Sequence, residues 1–266
     1  MQYSSRAKTT SLVLHQFARL RNSILAATFL SAAAARAGVI FFDNFESYAN
    51  TAALNAVWPV ASGTESIIFL DAGPVGSTDT SNTVHSTNRL GRRDRGFVAP
   101  IATINEPIVL SIDIYYAGVT GTNDYVQMIA LNSSSALSQL ISMGYSNLAT
   151  SNGTNDQLKF QARVAFGSVN WINLNAPRTT GWHTFIAEVF PSSVNFYVDG
   201  VLDTSNVAYT GGVGDAFSSV RLGSGLSTRV EEAYFDNVSV ASVPEPGSVA
   251  LLTLGLAAVA GRRRRA

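Results

Sequence analysis

Apolar and polar residues alternate with a period of two along the middle of the chain. In Ile108–Tyr116, Ile108, Leu110, Ile112 and Ile114 fall on one face. Val109, Ser111, Asp113 and Tyr115 fall on the other. In 158–166, Leu158, Phe160, Ala162, Val164 and Phe166 oppose Lys159, Gln161 and Arg163. This alternation predicts half-buried antiparallel strands. Similar short runs occupy 39–45, 66–70, 125–131, 140–144, 169–174, 182–190, 194–198, 220–223 and 233–240, between clusters of Gly, Asn, Ser and Pro. No helical periodicity persists between residues 38 and 243. Eleven such strands with polar turns predict an all-β, two-sheet antiparallel sandwich. One hairpin is explicit. Residues 182–190 turn at Pro191-Ser192-Ser193 and return as 194–198. Asp199-Gly200 then forms a second turn, and Val201-Leu202-Asp203 pairs back.

Both ends break the pattern. Residues 1–37 have a leader with Arg6, Lys8, Arg19 and Arg21 and no acid, then an Ala-rich apolar run from Ser23 to Ala35. Ala35-Arg36-Ala37 is an A-x-A cleavage site, which places the cut before Gly38. The expectation is a signal helix removed by signal peptidase. The leader is long for a signal peptide, so the start of translation is left open. Residues 244–266 open with Pro244-Glu245-Pro246, run without charge from Ser248 to Gly261, and end on Arg262, Arg263, Arg264, Arg265 and Ala266. The apolar run favours a bilayer, and the arginines hold its end in the cytoplasm. As a helix, 247–261 is about 22 Å long, short of the ~30 Å hydrocarbon core. That length suits a temporary hold. The expected domains are therefore 1–37, 38–243 and 244–266.

This tail resembles the PEP-CTERM sorting signal of Gram-negative bacteria. The resemblance implies removal of the tail by an exosortase-type membrane protease and delivery to the cell surface or an exopolysaccharide matrix. Within the domain, the pattern G-W-H-x-F…V-x-F-Y-V-D-G-x-L (residues 181–202) resembles the concanavalin A-like, or laminin-G-like, jelly roll. The resemblance implies that the opening strand near Phe42-Asp43 and the closing strand near Phe235-Asp236 are neighbours.

Charge changes once the ends are set aside. Residues 38–243 hold nine Lys and Arg against 17 Asp and Glu, a net charge of −8. Such a domain should not bind nucleic acid or anionic lipid non-specifically. It favours a neutral glycan unless the cluster Arg89, Arg92, Arg93 and Arg95 lines the site; a solvated loop is the default for that cluster. The chain contains no cysteine, which excludes disulfides and thiol chemistry.

Sugar hydrolysis needs two carboxylates facing one cleft. Glucanases of the resembled fold carry E-x-D-x-x-E on one strand, and no strand here has that pattern. Lyases of that fold use His, Tyr, Arg or Lys. His183 reads as a packing or turn-bonding residue, and His85 shows no partner in the sequence. Non-catalytic glycan binding is therefore the leading expectation, with a polysaccharide hydrolase or lyase as the alternative. Sugar binding uses aromatic faces and planar polar groups. Trp58, Tyr115, Tyr116, Tyr125, Tyr145 and Trp171 are the available rings, and Trp182 reads as core. The expected glycan site is Trp171 with Asn170, Asn173 and Tyr125; packing of Trp171 between the sheets is the even alternative. A second expectation is Ca2+ held by Asp43, Glu46 and Asp236, against bonding of Asp43 and Asp236 to turn backbones.

Overall fold

The structure, a computed structural model, describes residues 38–66, 68–74, 82–87, 91–119, 121–148, 150–165, 171–209, 214–225 and 232–242. The signal, the cleavage residues Ala35 and Ala37, the sorting tail with Pro244, Glu245, Pro246 and Arg262–Arg265, and Asn170 lie outside the described residues. So do the two terminal helices expected from the sequence.

Residues Gly38–Val243 form one compact unit. Its strands are β1 (Gly38–Asp43), β2 (Val60–Ser62), β3 (Ile68–Asp71), β4 (Thr83–Ser86), β5 (Arg92–Gly96), β6 (Ile108–Tyr116), β7 (Asp124–Leu131) and β8 (Leu137–Tyr145). They continue as β9 (Lys159–Ala165), β10 (Trp171–Pro177), β11 (Gly181–Val189), β12 (Ser193–Val198), β13 (Val201–Ala208), β14 (Phe217–Leu222) and β15 (Ala233–Ser242). All the pairings between these strands are antiparallel. One sheet runs β13-β12-β11-β6-β15-β4-β3, with β1 also on β15. The other runs β10-β9-β8-β7-β14-β5-β2. The expected all-β sandwich is present, and its first and last strands are neighbours.

The alternation read from the sequence sets the core. Ile108, Leu110, Ile112 and Ile114 of the eight-stranded sheet are buried together with Phe160, Ala162 and Val164 of the seven-stranded sheet. The hairpin turn is also as expected. Asp199 and Gly200 have φ of 52° and 76°, and Val198 pairs with Val201, so both turn residues carry the positive φ of the turn that matches strand twist.

Four elements escaped the pattern. α1 (Thr51–Asn55) is one short turn of helix, capped by Asn50, whose side chain accepts from Ala53 N at 2.9 Å. It buries Leu54 and leads to the fully buried Trp58. β2 and β4 are three and four residues long, too short to show a period. β5 contains Arg92, Arg93, Asp94 and Arg95 and reads as a solvated loop. It is held instead by polar contacts. Arg93 is fully buried, and its guanidinium donates to Ile68 O at 3.0 and 2.6 Å, Trp58 O at 2.6 Å and Asn55 Oδ1 at 2.6 Å. Burial pushes its pKa down to about 10.

Two carboxylates tie the layers together. Asp43 of β1 accepts from Phe45 N at 2.9 Å, Tyr48 OH at 2.6 Å, Trp58 Nε1 at 2.8 Å and Arg95 Nη1 at 2.6 Å. The last bond joins the eight-stranded sheet to β5 of the other. Asp203 of β13 accepts from Asn175 N at 2.8 Å and Ala176 N at 2.7 Å, on the end strand β10 of the opposite sheet.

Candidate functional site

The outer face of the seven-stranded sheet carries a rank of side chains from six strands. Trp171 pairs with Arg163, Arg163 with Ser142, Ser142 with Gln127, Gln127 with Arg221, and Arg221 with Asp94. In-register residues on adjacent strands point to the same face. Phe160, Ala162 and Val164 face the core, so Arg163 faces away from it. Tyr125, two residues from Gln127 on β7, joins the rank. Its ring centroid is 4.9 Å from that of Trp171, at 60°. Gly144 stands opposite Tyr125 with φ 142°. A Cβ there would lie 2.4 Å from Asp124 O, so only glycine fits beside this ring.

The charges of the rank are unequally matched. Arg92 Nε donates to Asp94 Oδ1 at 3.0 Å, and Arg221 Nε lies 3.3 Å from Asp94 Oδ2. Burial lowers the pKa of Arg221, with Asp94 opposing that effect. Arg163 has no ion-pair carboxylate among the described residues. Its guanidinium carbon is 5.9 Å from the Trp171 ring centroid. Three buried donors here make no hydrogen bond among the described residues: Arg221 Nε, which keeps only its ion pair with Asp94, and Arg163 Nε and Trp171 Nε1.

The structure thus brings Trp171 and Tyr125 together, but as packed rings: they are 2% and 3% exposed. Trp171 lies on the outer face, not between the sheets. Asn173 is near, but its amide is already engaged by the adjoining loop. It accepts from Asp156 N at 3.0 Å and donates to Thr154 O at 2.9 Å. Among the other rings expected to be available, Trp58, Tyr116 and Tyr145 are buried, and Tyr115 is half-buried.

The expected cation ligands are not gathered. Asp43 spends its carboxylate on the four donors named above, and Glu46 accepts from Asn82 N at 2.8 Å. Asp236 accepts from Asn237 N at 2.6 Å and pairs across from Asp113. Among the described residues, no three His, Cys, Asp or Glu side chains converge as a metal site.

His183 bonds a turn, as expected. Its Nδ1 is 2.8 Å from Asp199 Oδ2, and its Nε2 is 2.8 Å from Thr179 O. His85 corrects the sequence reading, because it has two carboxylate partners. Its Nδ1 is 2.8 Å from Asp71 Oδ2 and its Nε2 is 3.1 Å from Glu232 Oε1. The partners lie 14 and 147 residues away in sequence, so no local spacing could reveal them. The imidazole stacks on Tyr234 at 3.8 Å and 16°. Phe69, His85, Tyr234, Tyr115 and Trp182 form one row across the outer face of the eight-stranded sheet. Trp182 is therefore a half-buried outward ring, not a core residue, because its neighbours His183 and Phe185 take the inward positions.

No curated protein matches this chain. Among solved structures, a carbohydrate esterase from the Shiga toxin-encoding bacteriophage phi24B is 12% identical over 79% of this chain and 100% of its own, with a TM-score of 0.55. Domain 4 of an extracellular arabinanase from Geobacillus stearothermophilus is 14% identical over 80% and 97%, with a TM-score of 0.46. A Trypanosoma rangeli sialidase is 13% identical over 80% of this chain, which spans 32% of the sialidase, with a TM-score of 0.46. At such identities the likeness is one of fold. The C-terminal residues say more. Positions 242–265 match the PEP-CTERM protein-sorting motif. This motif implies an exported protein processed by exosortase at the membrane. The chain is an antiparallel β-sandwich that carries a PEP-CTERM sorting signal.

Proposed function

We propose that this protein works at the cell surface or in the exopolysaccharide matrix, where its sandwich holds a glycan without cleaving it. In this reading, signal peptidase removes 1–37, exosortase removes the C-terminal tail, and 38–243 is the folded domain that is delivered. The observation that carries the reading is the outer face of the seven-stranded sheet, where Arg163, Arg221 and Asp94 stand half-exposed in one rank above the buried Trp171, Ser142 and Gln127. Guanidinium donors and a carboxylate acceptor, fixed on neighbouring strands, are groups that bond sugar hydroxyls. Affinity electrophoresis of residues 38–243 through gels cast with different polysaccharides is the direct test. Retardation by at least one polymer is expected; mobility unchanged in every gel sinks the reading. Intact-mass analysis of surface-located protein should show neither the leader nor Arg262–Arg265. Recovery of the arginines there would remove the sorting step.

One observation favours an enzyme instead. His85 sits between Asp71 and Glu232 and against Tyr234, and positioned acids and bases of this kind move protons in sugar cleavage. Reducing ends released from a polysaccharide by the wild type, and not by His85→Ala, would establish that reading.

A further inference from the structure

We infer that the glycan held by the seven-stranded sheet is an acidic one, recognised through a sugar carboxylate by Arg163. The inference rests on the glycan-binding reading above and names its ligand class. Three observations support it independently.

The first is the distribution of charge between the sheets. The strands of the eight-stranded sheet contain no lysine or arginine. They carry Asp43, Asp71, Asp113, Glu188, Asp203 and Asp236. The strands of the seven-stranded sheet carry Arg92, Arg93, Arg95, Lys159, Arg163 and Arg221, against only Asp94 and Asp124. The net −8 of the domain is therefore a sum over two unlike surfaces. On the outer face of the seven-stranded sheet, Arg92, Lys159, Arg163 and Arg221 stand against Asp94, so the field there favours an anion although the average charge does not.

The second is the state of each cation. Arg93 is buried among carbonyls, Arg95 holds Asp43, and Arg92 and Arg221 share Asp94. Lys159 and Arg163 have no carboxylate partner among the described residues, and of the two only Arg163 stands over an aromatic ring there. It is half-buried on the outer face, beside an indole that restricts its position.

The third is the pair of donors without acceptors. Trp171 is 2% exposed, and its Nε1 has no partner among the described residues; the buried Nε of Arg163 has none there either. Buried donors left unpaired cost stability unless something accepts from them. These two sit on in-register neighbours. Both are donors only, so the group that completes them is an acceptor. A carboxylate offers two oxygens in the plane of the guanidinium fork.

The test uses residues 38–243 and four polymers: polygalacturonate, its carboxyl-reduced counterpart, a neutral glucan and dextran sulfate. Binding to polygalacturonate is expected, with weakening of about tenfold or more on carboxyl reduction and in Arg163→Gln. Raising the salt from about 0.05 to about 0.5 M should also weaken it. Arg163→Lys keeps the charge but not the fork, and should recover only part of the affinity. Melting curves of both variants should match the wild type, which separates lost binding from lost folding. Equal binding to polygalacturonate and its reduced form would overturn the carboxylate claim and leave the glycan-binding reading standing. Binding to dextran sulfate alone would overturn it as well, by assigning the site to sulfate esters. Binding to none of the four would overturn both.

Discussion

The two sheets share one core but finish their outer faces in opposite ways. On the eight-stranded sheet, Phe69, His85, Tyr234, Tyr115 and Trp182 lie ring against ring, with carboxylates beside them. On the seven-stranded sheet, arginines, an amide and a hydroxyl line up behind one indole. The contrast reaches the titration of single groups. Burial, with Asp71, Glu232 and Tyr115 nearby, pushes Tyr234 up to about 12 on the first sheet. Burial lowers the pKa of Arg221 on the second. Two faces of one thin domain can thus present different chemistry to different partners, and an average charge describes neither.

The largest effect should come from breaking the tie between the faces. Asp43→Ala leaves Trp58 Nε1, Tyr48 OH and Arg95 without their shared acceptor. Breaking a buried pair by removing one partner costs about 3–5 kcal/mol. Urea denaturation should show a loss of that size; a loss under about 1 kcal/mol would mean that the sheets hold together without this link.

Next come the two outward tryptophans, one per sheet. Trp171→Ala should cost about 3–5 kcal/mol, because the ring is almost fully buried. Trp182→Ala should cost about 1 kcal/mol, the scale of a cross-strand aromatic pair on a half-buried surface. Equal losses in parallel melts would erase the distinction drawn between the faces.

Alkaline pH sharpens the comparison further. Tyr209 and Tyr234 are pushed up to about 12, by burial above all. In the unfolded chain a phenol titrates near about 10. The folded state therefore keeps protons that the unfolded state loses. That stabilisation is whole below pH 10 and is lost as pH rises through about 12. Arg93, Arg178 and Arg221 act in the opposite sense over their own range, because the unfolded chain holds their protons more tightly. The five tyrosines with raised values outnumber these three, so stability should fall overall. Tyrosinate absorbance rising together with unfolding above pH 10 is the expected record. Full ionisation near pH 10 in the folded protein would contradict the placement of these rings.

The smallest effect concerns calcium. Asp43 and Glu46 already accept hydrogen bonds from the protein. Melting in chelator and in millimolar calcium should give the same curve. A rise in melting temperature with calcium would restore the idea of a cation between the first and last strands.

Much of the fold was legible because burial follows alternation. Ile108–Tyr116 is a strand over the same residues in sequence and structure, since each inward position is a branched or aromatic side chain. β5 was not legible, because its inward residue is Arg93, a cation whose donors are satisfied by carbonyls that lie far away in sequence. The candidate site was half legible. Trp171 and Tyr125 stood out as aromatic residues in alternating strands. Their contact, and the rank that includes Arg163 and Gln127, depend on the register of strands distant in sequence. The pairing of His85 with Glu232 was invisible for the same reason.

The carboxylate of Asp203 has a consequence for life outside the cell. It occupies the amides of Asn175 and Ala176 on β10, a strand at the end of its sheet. Free amides along such a margin are where a second chain docks and starts a fibre. An exported protein gathered at the membrane for processing meets other copies of itself. One aspartate, reaching over from the opposite sheet, takes the place that a neighbour's strand would fill.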